Sequence, residues 1–442
     1  RHHHQAVIPM RTRSPFLMAA LCALTPLTTA YAQATLASRV AQVRDGVVHM
    51  QFDARPGVCG DGKNTVGYRQ ALFAREYSNF GRWTDRRCVP GPLRVSLTVA
   101  GGEVTQLQTQ VGGAWPATSA RVADLGTVAP REASTYLFSL VPRLESESRK
   151  ERLLLPAVLA EDAVVIAPLL ALARDDSRLE STRRQAVQWL GLLGDATVVP
   201  PLVALAKDAS DDDNGDKPGK KGLASSAVAA LSYLDDNAGI PALIQLARNA
   251  PLGTRRNAVF WLGQNGDPRG LRTLHTVIED TKEDARVRKY AIFSLGNSDE
   301  VPAAEHDYLR SVYARLDSDQ LKEAVFQAMS SDEQAGGRWL VERARDSHES
   351  LKLRKSALFW AGQREGTSTA DIVSLFRDVD EPALREHAIF VLSQRQDDAS
   401  VDALMRIARA DSDSRMRGKA LFWLAQKHDP RVTKLISDIV LK

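Results

Sequence analysis

Two hydrophobic rhythms divide the chain. In residues 47–113 apolar and polar positions alternate, as where Leu93, Val95, Leu97 and Val99 are interleaved with Arg94, Ser96 and Thr98. That is the period of a half-buried strand. Gly101-Gly102 follows as a turn, and Val104 to Val111 runs on with Leu107, Thr109 and Val111 on one side, which predicts a hairpin. Arg55-Pro56-Gly57 and Gly60-Asp61-Gly62 surround Cys59 with turn-forming residues. After Pro130 the period changes from two to 3.6 and stays there.

Laying the helical part on itself exposes a repeat of about 31 to 33 residues. The clearest copies are Arg183-Arg-Gln-Ala-Val-Gln-Trp-Leu-Gly191, Arg255-Arg-Asn-Ala-Val-Phe-Trp-Leu-Gly263, Arg354-Lys-Ser-Ala-Leu-Phe-Trp-Ala-Gly362 and Arg417-Gly-Lys-Ala-Leu-Phe-Trp-Leu-Ala425. The register alanines are Ala157, Ala186, Ala227, Ala258, Ala291, Ala324, Ala357, Ala388 and Ala420, which predicts nine units with an insertion at 208–222. Each unit reads as two helices. In the first, the register alanine, the next aliphatic and the residue four on share a face, as Ala258, Val259 and Leu262 do. Asp267-Pro268 and Asp429-Pro430 then place an N-cap before a proline at the first position of the second helix. Neither helix hides its apolar stripe alone, so the units must stack.

The Arg-x-x-Ala-x-x-x-Leu-Gly…Gly-Asp-Pro pattern resembles the short bacterial HEAT repeats, also called phycobilisome-lyase-type HEAT-like repeats, over residues 130–442. The resemblance implies a mainly α superhelix, a HEAT solenoid of about nine helical hairpins, preceded here by a small β domain. The expected division is 1–32 as N-terminal extension and signal peptide, 33–128 as the β domain and 129–442 as the solenoid. The class serves many roles, so the resemblance speaks to fold and not to activity.

Charge narrows the partners. The formal net charge is +4, and Arg1, Arg11 and Arg13 fall in the first 32 residues, which hold no acid. The remaining 55 basic against 54 acidic residues argue against a globally basic nucleic-acid binder. Arg11 and Arg13, the apolar run from Phe16 to Leu27 and the small residues of Ala30-Tyr31-Ala32 read as a cleaved secretory signal ending at Ala32. The run is too short to span a bilayer. Export leaves Cys59 and Cys88, which are expected to pair. Closing that loop would stabilise the β domain by roughly 3–4 kcal/mol in the chain-entropy model.

Catalytic signatures do not emerge. The chain has no Gly-x-Ser-x-Gly, His-Glu-x-x-His, Gly-x-x-x-x-Gly-Lys-Ser/Thr or Gly-x-Gly-x-x-Gly. Deoxyhypusine hydroxylase, a HEAT-repeat enzyme, holds di-iron through His-Glu pairs on several repeats. Here Arg385-Glu386-His387 has the order reversed in one unit, and the equivalent Arg256-Asn257, Lys289-Tyr290 and Lys355-Ser356 cannot supply the remaining ligands. An EF-hand reading of the insertion puts Lys221 where a bidentate Glu is required; a solvated mobile loop is expected instead. No cofactor and no metal are expected.

Two ladders remain. Arg183, Arg255, Arg288, Arg354, Arg385 and Arg417 each precede a register alanine by three. They read either as a basic stripe or, preferably, as struts between units, with Asp284, Glu381 and Asp413 one turn before Arg288, Arg385 and Arg417. Phe260, Phe293, Phe326, Phe359, Phe390 and Phe422 each follow a register alanine by two, about 200° around the helix from it. Inter-repeat packing accounts for such rings; an aromatic stripe open to a protein partner is the functional alternative. The sequence therefore predicts an exported, non-catalytic scaffold that binds proteins and not nucleic acid. A metal-dependent hydroxylase or lyase-like enzyme on the same repeats is the rival.

Overall fold

The computed structural model describes residues 34–63, 66–68, 88–145, 153–207, 222–296, 302–332, 335–364, 366–427, 429–433 and 435. The expected signal segment, and the insertion apart from Gly222, lie outside the described residues.

The alternating segment folds as expected. Strands β1 (Gly46–Phe52), β5 (Leu93–Ala100), β6 (Glu103–Val111) and β7 (Val122–Thr127) form one sheet in the order β6-β5-β1-β7. Strands β2 (Val58–Gly60), β3 (Val66–Tyr68) and β4 (Val89–Pro90) form a second, in the order β3-β2-β4. Gly101 and Gly102 close the β5–β6 hairpin at φ +61° and +82°, left-handed backbone that glycine adopts without cost. Leu93, Val95, Leu97 and Val99 are buried with Val48, Met50 and Phe52 of β1. Cys59 and Cys88 form a disulfide, Cα to Cα 5.2 Å. Gly67 sits against it, where an added Cβ would lie 3.3 Å from the Cys88 sulfur. Helix α1 (Leu36–Ala41) and β7 carry no strong pattern and were not expected; β7 pairs with β1 in parallel and is mostly exposed.

The β domain is fused to the helices. Helix α2 (Pro130–Leu144) accepts the Leu36 amide on Glu132 at 2.5 Å. The Arg55 guanidinium donates to the Val158 and Ala163 carbonyls at 2.9 and 2.7 Å, while backbone bonds join Arg55 to Leu159 and Glu161 to Asp53. The expected boundary at 128/129 falls between β7 and α2, but these bonds cross it. They also explain a correction. Ala157 is buried, yet it lies in a four-residue turn, α3 (Leu155–Val158), and not in a full helix. The first of the nine expected units is this stump, braced by the β domain.

Eight register helices follow among the described residues: α5 (Glu180–Leu193), α7 (Leu223–Tyr233), α9 (Leu252–Asn265), α11 (Ala285–Gly296), α13 (Asp319–Met329), α15 (Leu351–Gly362), α17 (Pro382–Gln394) and α19 (Ser414–Leu424). The second helices are α4 (Ile166–Arg174), between the stump and α5, and, between the register helices, α6 (Val199–Lys207), α8 (Ile240–Asn249), α10 (Pro268–Glu279), α12 (Ala304–Val312), α14 (Gly336–Arg345), α16 (Thr369–Asp378) and α18 (Asp398–Ala410). Every register alanine is buried. Asp267 accepts the Arg269 amide at 2.8 Å, as the Asp-Pro motif predicted.

The glycine five residues after the register alanine spaces the stack. A Cβ on Gly296 would lie 2.2 Å from Ala328 Cβ, and one on Gly263 would lie 2.4 Å from Ser294 Cβ. On Gly191 and Gly362 it would meet Ala230 and Val391 of the next register helix at 2.7 and 2.1 Å. Gly418, inside α19, meets nothing within 4 Å. The two kinds of glycine give opposite expectations. Gly296→Ala should lower stability by roughly 1–3 kcal/mol through overpacking. Gly418→Ala should raise it by about 1 kcal/mol through helix propensity. Urea unfolding of the two variants checks both signs.

Candidate functional site

The arginine ladder is structural. Arg183, Arg288 and Arg354 each donate Nε to the carbonyl ten residues back, that of Ala173, Ile278 and Ala344, at 3.1, 2.9 and 3.0 Å. Arg385 reaches the Phe376 carbonyl at 3.3 Å. These are orphan carbonyls at the ends of second helices, where a cation also meets the negative end of the helix dipole. Arg255 and Arg417 do the same for loop carbonyls, of Ala250 and Asp411. The other end of the guanidinium ties on the following unit: Arg255 to Glu283 (3.2 Å), Arg288 to Asp317 (2.8 Å) and Arg385 to Asp411 (2.8 Å). The helix-start acids do not bind the ladder as expected. Asp284 and Asp413 fold onto Arg286 and Arg415, two residues on, because each also caps that residue's amide.

The phenylalanine ladder is not one surface. Phe326 is fully buried against Tyr313 and Trp339, and Phe260 is 8% exposed. These two belong to the interior, which corrects the partner-binding expectation for them. Phe293, Phe359 and Phe390 are half-buried; Phe422 is 59% exposed. The grading follows from what covers each ring: Tyr313, just before α13, and Trp339, on the second helix α14 of the same unit, enclose Phe326. Trp423 of the next unit packs on Phe390 at 5.4 Å. No register helix follows Phe422 among the described residues. At the other end Tyr68 of β3 lies 6.3 Å from Trp189 and covers it in the same manner.

The titratable candidates are engaged or scattered. Glu386 pairs with Lys419 at 3.5 Å. His387 is half-buried, its Nε2 without a hydrogen-bond partner among the described residues. Burial holds its imidazole below the ordinary value, and Lys355 adds repulsion. His348 bonds Asp346 at the surface. In the β domain, His49 stacks on Trp115 at 4.0 Å, with the Arg94 guanidinium 5.2 Å from the same ring. A cleft of about 610 Å³ is lined by 60–62, 89–92 and 111–113, with Asp61 the single ionisable side chain among the described lining residues. Among the described residues no three His, Cys, Asp or Glu side chains converge to hold a metal ion.

Residues 240–330 match the family model for HEAT repeats, and residues 182–208 match that for the PBS lyase HEAT-like repeat. These helix pairs are HEAT repeats. No curated protein matches the chain. Among solved structures, the HEAT array is similar to the complex of CpcE and CpcF of phycocyanin lyase from Nostoc sp. PCC7120 (19% identity, TM-score 0.29, covering 54% of this chain and 92% of that one). It is similar to human deoxyhypusine hydroxylase (18%, TM-score 0.27, 56% and 91%) and to importin beta (12%, TM-score 0.31, 67% and 44%).

Two expectations follow from this chemistry. Arg288→Ala should cost about 2 kcal/mol, since it strands the Ile278 carbonyl and half-exposed Asp317 can still turn to water. Lys289→Ala, next to it and exposed, should stay within about 0.5 kcal/mol; chemical denaturation separates the two. The pH effect has a fixed sign. With the His387 pKa lowered in the fold from 6.5, the unfolded chain takes up its proton first. Its stability contribution is whole above pH 6.5 and is lost as pH falls below it. His387→Gln should flatten the decline of the melting temperature between neutral and mildly acidic pH.

Proposed function

We propose that this chain is an exported scaffold or adaptor that binds protein partners through its HEAT array and performs no reaction itself. One observation carries the reading: the helices stack in single file, so their outer sides join into one long surface, and repeat arrays bind through such surfaces. The arginines and glycines that could look functional are spent on holding units together. The disulfide favours an oxidising compartment, in keeping with the signal-like start ending at Ala32. No described helix is long and apolar enough to cross a membrane.

The test uses the full chain expressed with its own N-terminus. N-terminal sequencing of the exported form should begin at Gln33, and a thiol titration should find both remaining cysteines blocked. Metal analysis should find iron and zinc well below one per chain. A stoichiometric metal whose removal abolishes a turnover would replace the adaptor with an enzyme.

A further inference from the structure

The joints between neighbouring register helices are of two kinds, and residue type separates them. In the first kind the earlier helix carries glycine five residues after its register alanine, at Gly191, Gly263, Gly296 and Gly362. The later helix then carries Ala230, Ser294, Gln327 or Val391 three residues after its own. In the second kind Ser232, Met329 or Ser393 stands in place of the glycine, and the later helix carries Trp261, Trp360 or Trp423. Every joint from α5 to α19 obeys one rule or the other, and no tryptophan follows a glycine.

The two kinds differ in what touches. At a glycine joint the backbones meet: an added Cβ would lie 2.7 Å from Ala230 Cα at Gly191 and 2.6 Å from Ala328 Cα at Gly296. Helices in such contact cannot roll on each other without a clash. An indole cannot enter that space. At a tryptophan joint the register helices therefore stand further apart, since interaxial distance follows the side chains at the contact. Rings then make the contact, Trp261 meeting Tyr233 edge-on at 5.3 Å and Trp423 meeting Phe390 at 5.4 Å. Apolar burial holds such rings together, and it has no fixed direction.

The joint between α13 and α15 combines several of these features. Its spacer Met329 is an unbranched, flexible side chain, and Trp360 is half-buried where Trp261 is 8% exposed. The ion pairs that cross it, Lys322 to Glu349 at 3.5 Å and Lys352 to Glu323 at 3.0 Å, sit on long side chains that follow a change of angle. On the second-helix side the same two units stay close. A Cβ on Gly337 of α14 would lie 2.5 Å from the Thr367 hydroxyl, just before α16. Close contact on one side and a ring spacer on the other make a pivot.

We propose that the solenoid is articulated, with blocks locked by glycine that turn relative to one another at the tryptophan joints, foremost between α13 and α15. The blocks are α5 with α7, α9 with α11 and α13, and α15 with α17. Turning at these joints changes the curvature of the array while each block keeps its packing. The articulation follows from packing alone and does not depend on what the array binds.

Double electron–electron resonance tests this in the full chain with Cys22→Ser, the other two cysteines being paired. Thr276, Glu342 and Arg406 are exposed and stand two residues after the buried Leu274, Leu340 and Leu404 of α10, α14 and α18. Spin labels on Thr276→Cys/Glu342→Cys span the joints at Gly263 and Gly296. Labels on Glu342→Cys/Arg406→Cys span the Met329–Trp360 joint and the joint at Gly362. The second distance distribution should be about twice as wide as the first. Met329→Gly/Trp360→Ser, which copies the Gly263–Ser294 joint, should narrow it to the width of the first. Equal widths, or a wider first distribution, overturn the proposal, as does an unchanged width in folded Met329→Gly/Trp360→Ser. If that variant does not fold, the two label pairs in the otherwise unaltered array decide by themselves.

Discussion

The distance between neighbouring register helices governs the rest of the molecule. A helix with buried Ala258, Val259 and Leu262 on one side and Gly263 against Ser294 on another is covered only when the next unit is present. The closeness excludes a methyl group, so the units accept a glycine inside a helix at a cost of about 1 kcal/mol relative to alanine. The arginine ladder works on the same joint. Arg288 begins on α11, satisfies the carbonyl of Ile278 at the end of α10, and reaches Asp317 ahead of α13. One side chain links α10, α11 and the segment ahead of α13, so each unit's order depends on its neighbours. That coupling between nearest units is what makes stability in such arrays approximately one-dimensional.

An array of this kind has an end problem, and the β domain answers it on the N-terminal side. The stump around Ala157 is too short to cover its neighbours. Arg55, the Ala54–Ala160 bridge and the Ser134 hydroxyl on the Ala157 carbonyl hold it in place, and Tyr68 covers Trp189 where a preceding unit would. The disulfide restrains the small sheet that carries Tyr68, through β2. The staple therefore acts beyond the β domain, on the first aromatic rung of the solenoid.

What the sequence disclosed was whatever repeats. Register alanines, Asp-Pro caps and the 3.6 period follow from backbone and burial rules that act locally, and they located the helices. The β5–β6 hairpin was equally legible, from Gly101-Gly102 between alternating runs. The stump at Ala157 was not, because its bracing comes from Arg55, about a hundred residues away. The phenylalanine ladder was legible as a row but not as a set of exposures. Phe326 and Phe422 occupy one register position, yet Tyr313 and Trp339 enclose the first from segments outside the repeat signature and the second stays exposed. The partner of each ladder arginine was hidden for the same reason. Asp317 and Glu283 belong to the following unit, whereas Asp284, nearer in sequence, caps its own helix.

These observations separate two kinds of position. On register helices most sides are committed to a neighbour, so side-chain type there reports packing. Second helices keep one side towards water, where α10 carries Arg272, α14 Glu342 and α18 Arg406. The residue after the buried leucine or isoleucine of each stays apolar on α4, α6, α8, α14, α16 and α18, as Leu170, Val203, Ile244, Val341, Val373 and Met405, because it packs on the same core. The cation that closes each of these helices, Arg174, Lys207, Arg248, Arg345, Arg377 or Arg409, lies at the negative end of its dipole. Apolar and basic positions on the second helices are therefore set by the array's own packing and by helix ends, as the alanines and arginines of the register helices are.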